Sequence, residues 1–179
     1  MGALGPNARS TFDTRPKTRD NLTAMPSSLR HFPLTTLPSP ELVASYLGAD
    51  YVTDGITLRL DMPVPDLPAW RRSHNCKRAV LITGWNPFSQ ELESDENQAR
   101  NEVLRLELEE RRLTALAAVG RSRDDTSWEE PGFCVLDCDD TATDNLMVRF
   151  CQYAVVIAEQ DGCKLVWHPA IREAGLGLP

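Results

Sequence analysis

Apolar positions in this chain fall into short clusters whose spacing alternates between helical and extended. Ser39-Pro40-Glu41 is a helix start: a hydroxyl N-cap, proline at the first helical position and an acid in the first turn. Leu42, Val43, Tyr46 and Leu47 then share one face and Gly48 suits a C-cap, which predicts a short helix over 40–47. Tyr51, Val52, Ile56, Leu58 and Leu60 read as a strand over 51–60, with Asp54-Gly55 as a turn or bulge inside it. Pro63, Pro65 and Pro68 predict a loop over 61–76. The unbroken run R-A-V-L-I-T over 78–83 is the pattern of a central strand buried on both faces, and Gly84-Trp85-Asn86-Pro87 stops it sharply.

After a polar loop over 88–94, Ala99, Val103, Leu104, Leu106 and Leu108 form a broad apolar stripe on a helix over 95–112. Its other face carries Glu102, Arg105, Glu109 and Arg112, spaced for solvent-facing ion pairs. A strand over 114–120, a polar loop over 121–131 and a buried strand over 133–136 follow. Leu146, Met147 and Phe150 point inward from a helix over 141–151 capped by Asp140 or Thr141. Strands over 153–158 and 164–167 meet at Asp161-Gly162, a hairpin signal. The order predicts an α+β (α/β-like) domain: one mixed sheet of about five or six strands with three helices packed on it. That domain is expected over 33–169, between a polar, basic tail over 1–32 and a Gly/Pro/Leu tail over 170–179. The first tail reads as disordered, or as an over-extended start with Met25 as the alternative initiator.

Charge narrows the partners. The chain has 19 basic and 26 acidic residues, a net −7 over 179 residues. The segment 1–32 is basic (Arg9, Arg15, Lys17, Arg19 and Arg30 against Asp13 and Asp20), so the body is more acidic than the total. Such a body repels phosphate backbones and argues against non-specific nucleic-acid binding. No apolar run approaches the roughly 20 residues of a membrane helix, so no membrane partner is expected. Five cysteines, an odd number without C-x-x-C spacing or an apolar leader before them, point to a reduced, cytoplasmic chain with buried thiols. Zinc on Cys134, Cys138, Cys151 and Cys163 is allowed by count only, and no knuckle turn surrounds them; neither metal nor cofactor is expected.

The residues with a chemical case are polar and gather around the buried strand. Asn86 and Ser89 follow its C-terminal end, Asn97 and Asn101 lie one turn apart on the next helix, and Gln152 sits between a helix end and a strand start. Uncharged donors and acceptors at such a place suit a polar small molecule such as a base, a ribose or an amide. Glu130, with Glu129 beside it, is the plausible general base, and a hydrolytic role would have it activate water. The structural alternative is open for each: Asn86 as a turn residue, Asn97 and Asn101 as polar surface, Glu129-Glu130 as a solvated loop, Gln152 as a helix-end cap. His31, His74 and His168 are not paired with a nucleophile, Cys151 reads as a buried helix-end thiol, and Arg71, Arg72, His74, Lys77 and Arg78 form the one basic cluster of the body. Two functions follow: a polar or nucleotide-like small-molecule site built on Asn86, Ser89, Asn97, Glu130 and Gln152, or a non-catalytic protein-interaction domain with no partner specified.

Five motifs in order resemble a bacterial family, the domain of unknown function 3293. They are T-G-W-N-P at 83–87 for T-A-x-N-P, S-D-E-N at 94–97, Ala118-Val119-Gly120 at a strand end, Glu130-Pro131-Gly132-Phe133 for E-P-S-F, and Phe150-Cys151-Gln152-Tyr153-Ala154 for F-G-Q-x-A. The resemblance spans about 78–168 and implies roles for Asn86, Pro87, Ser89, Asn97, Gly120, Glu130, Phe133 and Gln152; it implies no reaction. Three positions depart from the pattern. Gly84 for Ala reads as a mild change, Cys151 replaces a Gly that suits a tight backbone approach, and Gly132 for Ser removes a hydroxyl.

Overall fold

The computed structural model of the protein describes residues 29–124, 128–160 and 162–175. Most of the basic tail, 1–28, and the chain end from 176 lie outside the described residues. Five α-helices and seven strands are present among them, in the order α1 (Pro40–Gly48), β1 (Asp50–Thr53), β2 (Ile56–Leu58), α2 (Leu67–Ser73), β3 (Ala79–Ile82), α3 (Ser94–Glu110), β4 (Ala115–Arg121), β5 (Glu129–Leu136), α4 (Asp140–Phe150), β6 (Ala154–Glu159), β7 (Gly162–Trp167) and α5 (Pro169–Glu173). A single 3-10 turn, Pro87–Ser89, follows β3.

The class is α+β, with more elements than the pattern predicts. The expected strand over 51–60 is a hairpin, β1 and β2, folded at Asp54-Gly55, where both residues have positive φ (28° and 79°). The expected loop over 61–76 contains α2, which starts after Pro63 and Pro65, takes Pro68 into its first turn and buries Leu67 and Trp70. The expected tail after 169 contains α5, anchored by Ile171, and β5 begins at Glu129, inside the segment read as loop. The short helices α2 and α5 are held by tertiary packing, which overrides their weak local signals.

The sheet order is β2-β1-β4-β5-β3-β6-β7, and every pairing is antiparallel, so the mixed sheet of five or six strands is corrected to seven antiparallel strands. Alternation divides the residues of each strand between two clusters. Ala79 and Leu81 of β3, Cys134 of β5 and Val156 and Ala158 of β6 join Tyr51, Ile56 and Leu58 on the inner face. Val80, Ile82, Val135, Val155 and Ile157 face the other way, against Leu104 and Leu108 of α3 and Leu146, Met147 and Phe150 of α4. With no helix layer inside, the inner face fills itself by curling. Residues of both edge strands enter one cluster, and Cys163 of β7 reaches the backbone of Arg59, just past β2. α2 closes one end with Leu67 and Trp70. A third cluster, with Phe32, Val43, Phe88, Tyr153, Trp167 and Ile171, holds α1, the 3-10 turn and α5 together.

Two glycines set how closely layers approach. A Cβ on Gly84 would lie 2.9 Å from the Arg100 carbonyl, so this strand end is pressed onto the backbone of α3, and the exchange with Ala read as mild is sterically demanding. A Cβ on Gly132 would lie 2.5 Å from the Ile82 carbonyl oxygen. Gly132→Ala is expected to lower the unfolding free energy by about 2 kcal/mol, the scale of core overpacking. Gly48→Ala, with nothing within 4 Å of the added carbon, should leave it unchanged or slightly higher. Denaturant titration of both variants checks this, and equal midpoints would contradict the close approach at Gly132.

Candidate functional site

The candidate polar residues converge where β3 ends. Thr83 donates to the Pro131 carbonyl (2.6 Å) and accepts from the Trp85 N–H (3.0 Å), which starts the turn away from the sheet. Asn86 follows in the left-handed region (φ 41°), which Asn tolerates better than most residues, and Phe88 and Ser89 are left-handed as well (46° and 54°). Side chains from α3 brace this run. Asn97 accepts the Asn86 N–H at 2.8 Å, and its amide group donates to Asn86 Oδ1 (2.8 Å) and to the Leu92 carbonyl (3.1 Å). Asn101 accepts the Gly84 N–H (2.9 Å) and donates to Pro131 (3.1 Å).

Arg100, one turn after Asn97, is buried and turned onto backbone carbonyls. Its guanidinium donates to the carbonyls of Gly84 (2.9 Å), Phe150 (2.9 Å) and Arg30 (3.2 Å). Burial lowers its pKa, against a smaller contribution from the neighbouring Cys151 thiol. It therefore joins the end of β3, the end of α4 and the segment leading to α1. Cys151 itself caps α4 in the left-handed region (φ 57°), the conformation that favours the glycine of the resembling motif.

Asn86 passes this order to Glu130. Its side-chain nitrogen donates to Glu130 Oε1 at 2.7 Å, while Oδ1 is held by Asn97 and the Leu92 N–H (3.2 Å). Glu130 lies on the inner side of β5, directly opposite Gly120 of β4, which in turn pairs with Tyr51 of β1. Burial raises the Glu130 pKa above the usual carboxyl value, and the Asn86 hydrogen bond opposes that in part. Two phenols share its surroundings. The Tyr46 hydroxyl is pushed up to about 12, chiefly by burial, and lies 3.3 Å from Ser89 Oγ. The Tyr51 hydroxyl, raised for the same reason, donates to the Tyr46 carbonyl (2.8 Å).

Glu130 stands between two spaces. Inside the curl is a cavity of about 60 Å³, lined by residues including Leu81, Ala118, Gly120, Val156, Leu165 and Gln152. Outside, between α1 and the turn after β3, is a cleft of about 570 Å³ lined by residues including Ser45, Asn86, Ser89, Glu91 and Asp124. Tyr46, Trp128 and Glu130 line both.

The sequence candidates thus take different places. Asn86 and Glu130 are bonded to each other at the cleft, and Ser89 is exposed at its edge. Asn97 is 2% exposed and its amide is engaged within the turn, so it braces Asn86 instead of facing the cleft. Gln152 lines the cavity, with its nitrogen on the carbonyls of Trp85 (2.9 Å) and Phe150 (3.3 Å). Glu129 is exposed. Tyr46, Tyr51 and Trp128 were missed as site residues: the tyrosines read as apolar packing positions, and Trp128, an aromatic in an acidic loop beside Glu130, was the available signal. Of the basic cluster, Arg78 pairs with Asp140 and His74 with Asp54 (2.7 Å), away from these spaces. Cys134, Cys138 and Cys151 are buried in three separate clusters, and among the described residues no group of His, Cys, Asp or Glu is arranged to hold a metal ion. No described helix is long and apolar enough to cross a membrane.

Residues 82–155 match the model of the family described as protein of unknown function (DUF3293). This stretch, less than half of the chain, is similar to that family. The match agrees with the resemblance read from the motifs. No curated protein and no solved structure matches the chain. The DUF3293 segment runs from the last residue of β3 into β6 and contains Asn86, Ser89, Asn97, Glu130 and Gln152; Tyr46 and Tyr51 come from outside it.

Asn97→Ala is expected to cost about 3 kcal/mol, because it strands a buried N–H, a carbonyl and the Asn86 oxygen together. Gln98→Ala, which loses only a surface bond to Ser94, should stay within about 0.5 kcal/mol of the parent. Urea unfolding measures both, and equal effects would contradict the bracing role.

Proposed function

We propose that the protein binds a small molecule in the cleft between α1 and the turn after β3, with Glu130 as the group that recognises it. The observation that carries this reading is the placement of one carboxyl at the junction of an inner cavity and an outer cleft, braced by Asn86 and Asn97. Partial burial of a carboxyl costs stability unless the fold compensates it, and a connected polar brace is hard to account for at an incidental turn. An interaction domain would be expected to disperse Asn86, Asn97, Glu130 and Gln152 and satisfy each on nearby backbone; Gln152 is satisfied that way, on the Trp85 and Phe150 carbonyls, whereas Asn86 bonds both Asn97 and Glu130.

Glu130 also has the character of a proton-transfer group. Its raised pKa moves it toward the range in which a carboxyl accepts and returns a proton near neutral pH. Hydrolysis of a bound ligand, with Glu130 activating water, is the catalytic form of the proposal.

The test is a thermal-shift screen of nucleosides, sugars, amides and amines against the parent and Glu130→Gln. A ligand at 100 times its Kd should add about 2.7 kcal/mol to the parent and much less to the variant. The variant itself should not be less stable at neutral pH. A carboxyl whose folded pKa is raised stabilises the fold only while protonated; that contribution falls as pH rises from the ordinary carboxyl range through the folded pKa, and Gln removes the penalty above it. A flat screen, with an equally stable variant and a protein captured by pull-down, would replace the proposal with the interaction reading.

A further inference from the structure

We infer that the ligand is an organic cation, an amine head with a short apolar tail, lying across the junction with its head against Glu130 and its tail inside the curl. The inference rests on the small-molecule reading above and adds the chemical class. Among the described residues, neither the cavity nor the cleft is lined by Lys, Arg or His. The nearest guanidinium by sequence, Arg123, is turned away: it donates to Asp50 (2.8 Å), to both oxygens of Asp61 (2.7 and 2.8 Å) and to the Ala49 carbonyl. Among the described lining residues, a phosphate or carboxylate would find no basic side chain to bond. A cation would find Glu130 at the junction, Glu91 and Asp124 at the rim, and the rings of Tyr46 and Trp128, whose faces attract positive charge.

The cavity sets the tail. Its volume of about 60 Å³ holds about four water-sized groups, which matches three or four carbons. Its walls are largely apolar, with Leu81, Ala118, Val156 and Leu165 contributing. Gly120 faces Glu130 across the β4–β5 pair, and a Cβ there would lie 3.6 Å from the Tyr51 ring and 3.8 Å from Trp128. Both distances are ordinary van der Waals contact, so a Cβ is accommodated at 120, and a larger side chain adds bulk to the cavity lining.

The experiment is NMR titration with methyl-, propyl-, butyl- and hexylammonium, and with butyrate and butanol as controls, followed on the Trp128 indole. Butylammonium should bind at least tenfold tighter than butyrate, with about fourfold gain per methylene up to the length that fills the cavity. Gly120→Val should abolish the gain with chain length while methylammonium still binds, and Glu130→Gln should weaken every ammonium. Equal or tighter binding of butyrate that Glu130→Gln still alters would overturn the charge class and leave the site reading standing. Ammonium binding with no chain-length gain would overturn the tail assignment. Absence of any response at Trp128, together with a parent protein that also gives no hit in the wider screen, would overturn both.

Discussion

The amide of Asn97 is sealed at the start of α3, and all of its recorded hydrogen bonds go to the turn that leaves β3. That turn holds Asn86, Phe88 and Ser89 in the left-handed region, where L-residues lie at a cost of about 1 kcal/mol or more each. The strain persists because buried partners fix it from outside: Asn97 on one side, and on the other the Cys151 carbonyl, which accepts the Phe88 N–H at 2.6 Å. Without the brace, Asn86 would have no reason to present its nitrogen to Glu130.

The fold supplies the rest of the environment. A sheet with helices on both faces would bury Glu130's neighbours under a second layer. Here only one face carries α3 and α4, and the other closes on itself, leaving a small apolar interior whose mouth is Glu130, Tyr46 and Trp128. Arg123 ties Asp50 to Asp61 and so holds the start of the β4–β5 connection against the β1–β2 hairpin, while Arg100 holds the opposite side of the turn. Two arginines thus do structural work at the edges of the site, with their hydrogen bonds spent on Asp50, Asp61 and backbone carbonyls.

The strands and helices that were legible in the sequence are those whose burial is continuous or strongly periodic. Ala79–Ile82 reads as a central strand because all four residues are buried, and α4 reads as a helix because Leu146, Met147 and Phe150 share a face. The apolar stripe of α3 was legible in Leu104 and Leu108 but hidden elsewhere, since Asn97, Arg100 and Glu107 take buried positions and hydropathy places such residues outside. The hairpin at Asp54-Gly55 and the short α2 and α5 depend on partners distant in sequence, such as the Trp70 indole donating to the Asp54 carbonyl (3.1 Å). Of the site, Asn86, Ser89, Asn97, Glu130 and Gln152 were singled out by residue type and position. The division of labour among them was not, because whether an amide faces a cleft or a backbone is decided only by packing.

The central claim is that Glu130 is a partly desolvated carboxyl restrained by Asn86. Its direct measure is the carbon-13 titration of the Glu130 side-chain carboxyl in the parent and in Asn86→Gly, which keeps the left-handed backbone and removes only the side chain. The account predicts a pKa above the ordinary carboxyl value in the parent, and a higher one in the variant, because the hydrogen bond that favours the charged form is gone. An ordinary pKa in the parent, or one that does not move when Asn86 is shortened, would contradict it.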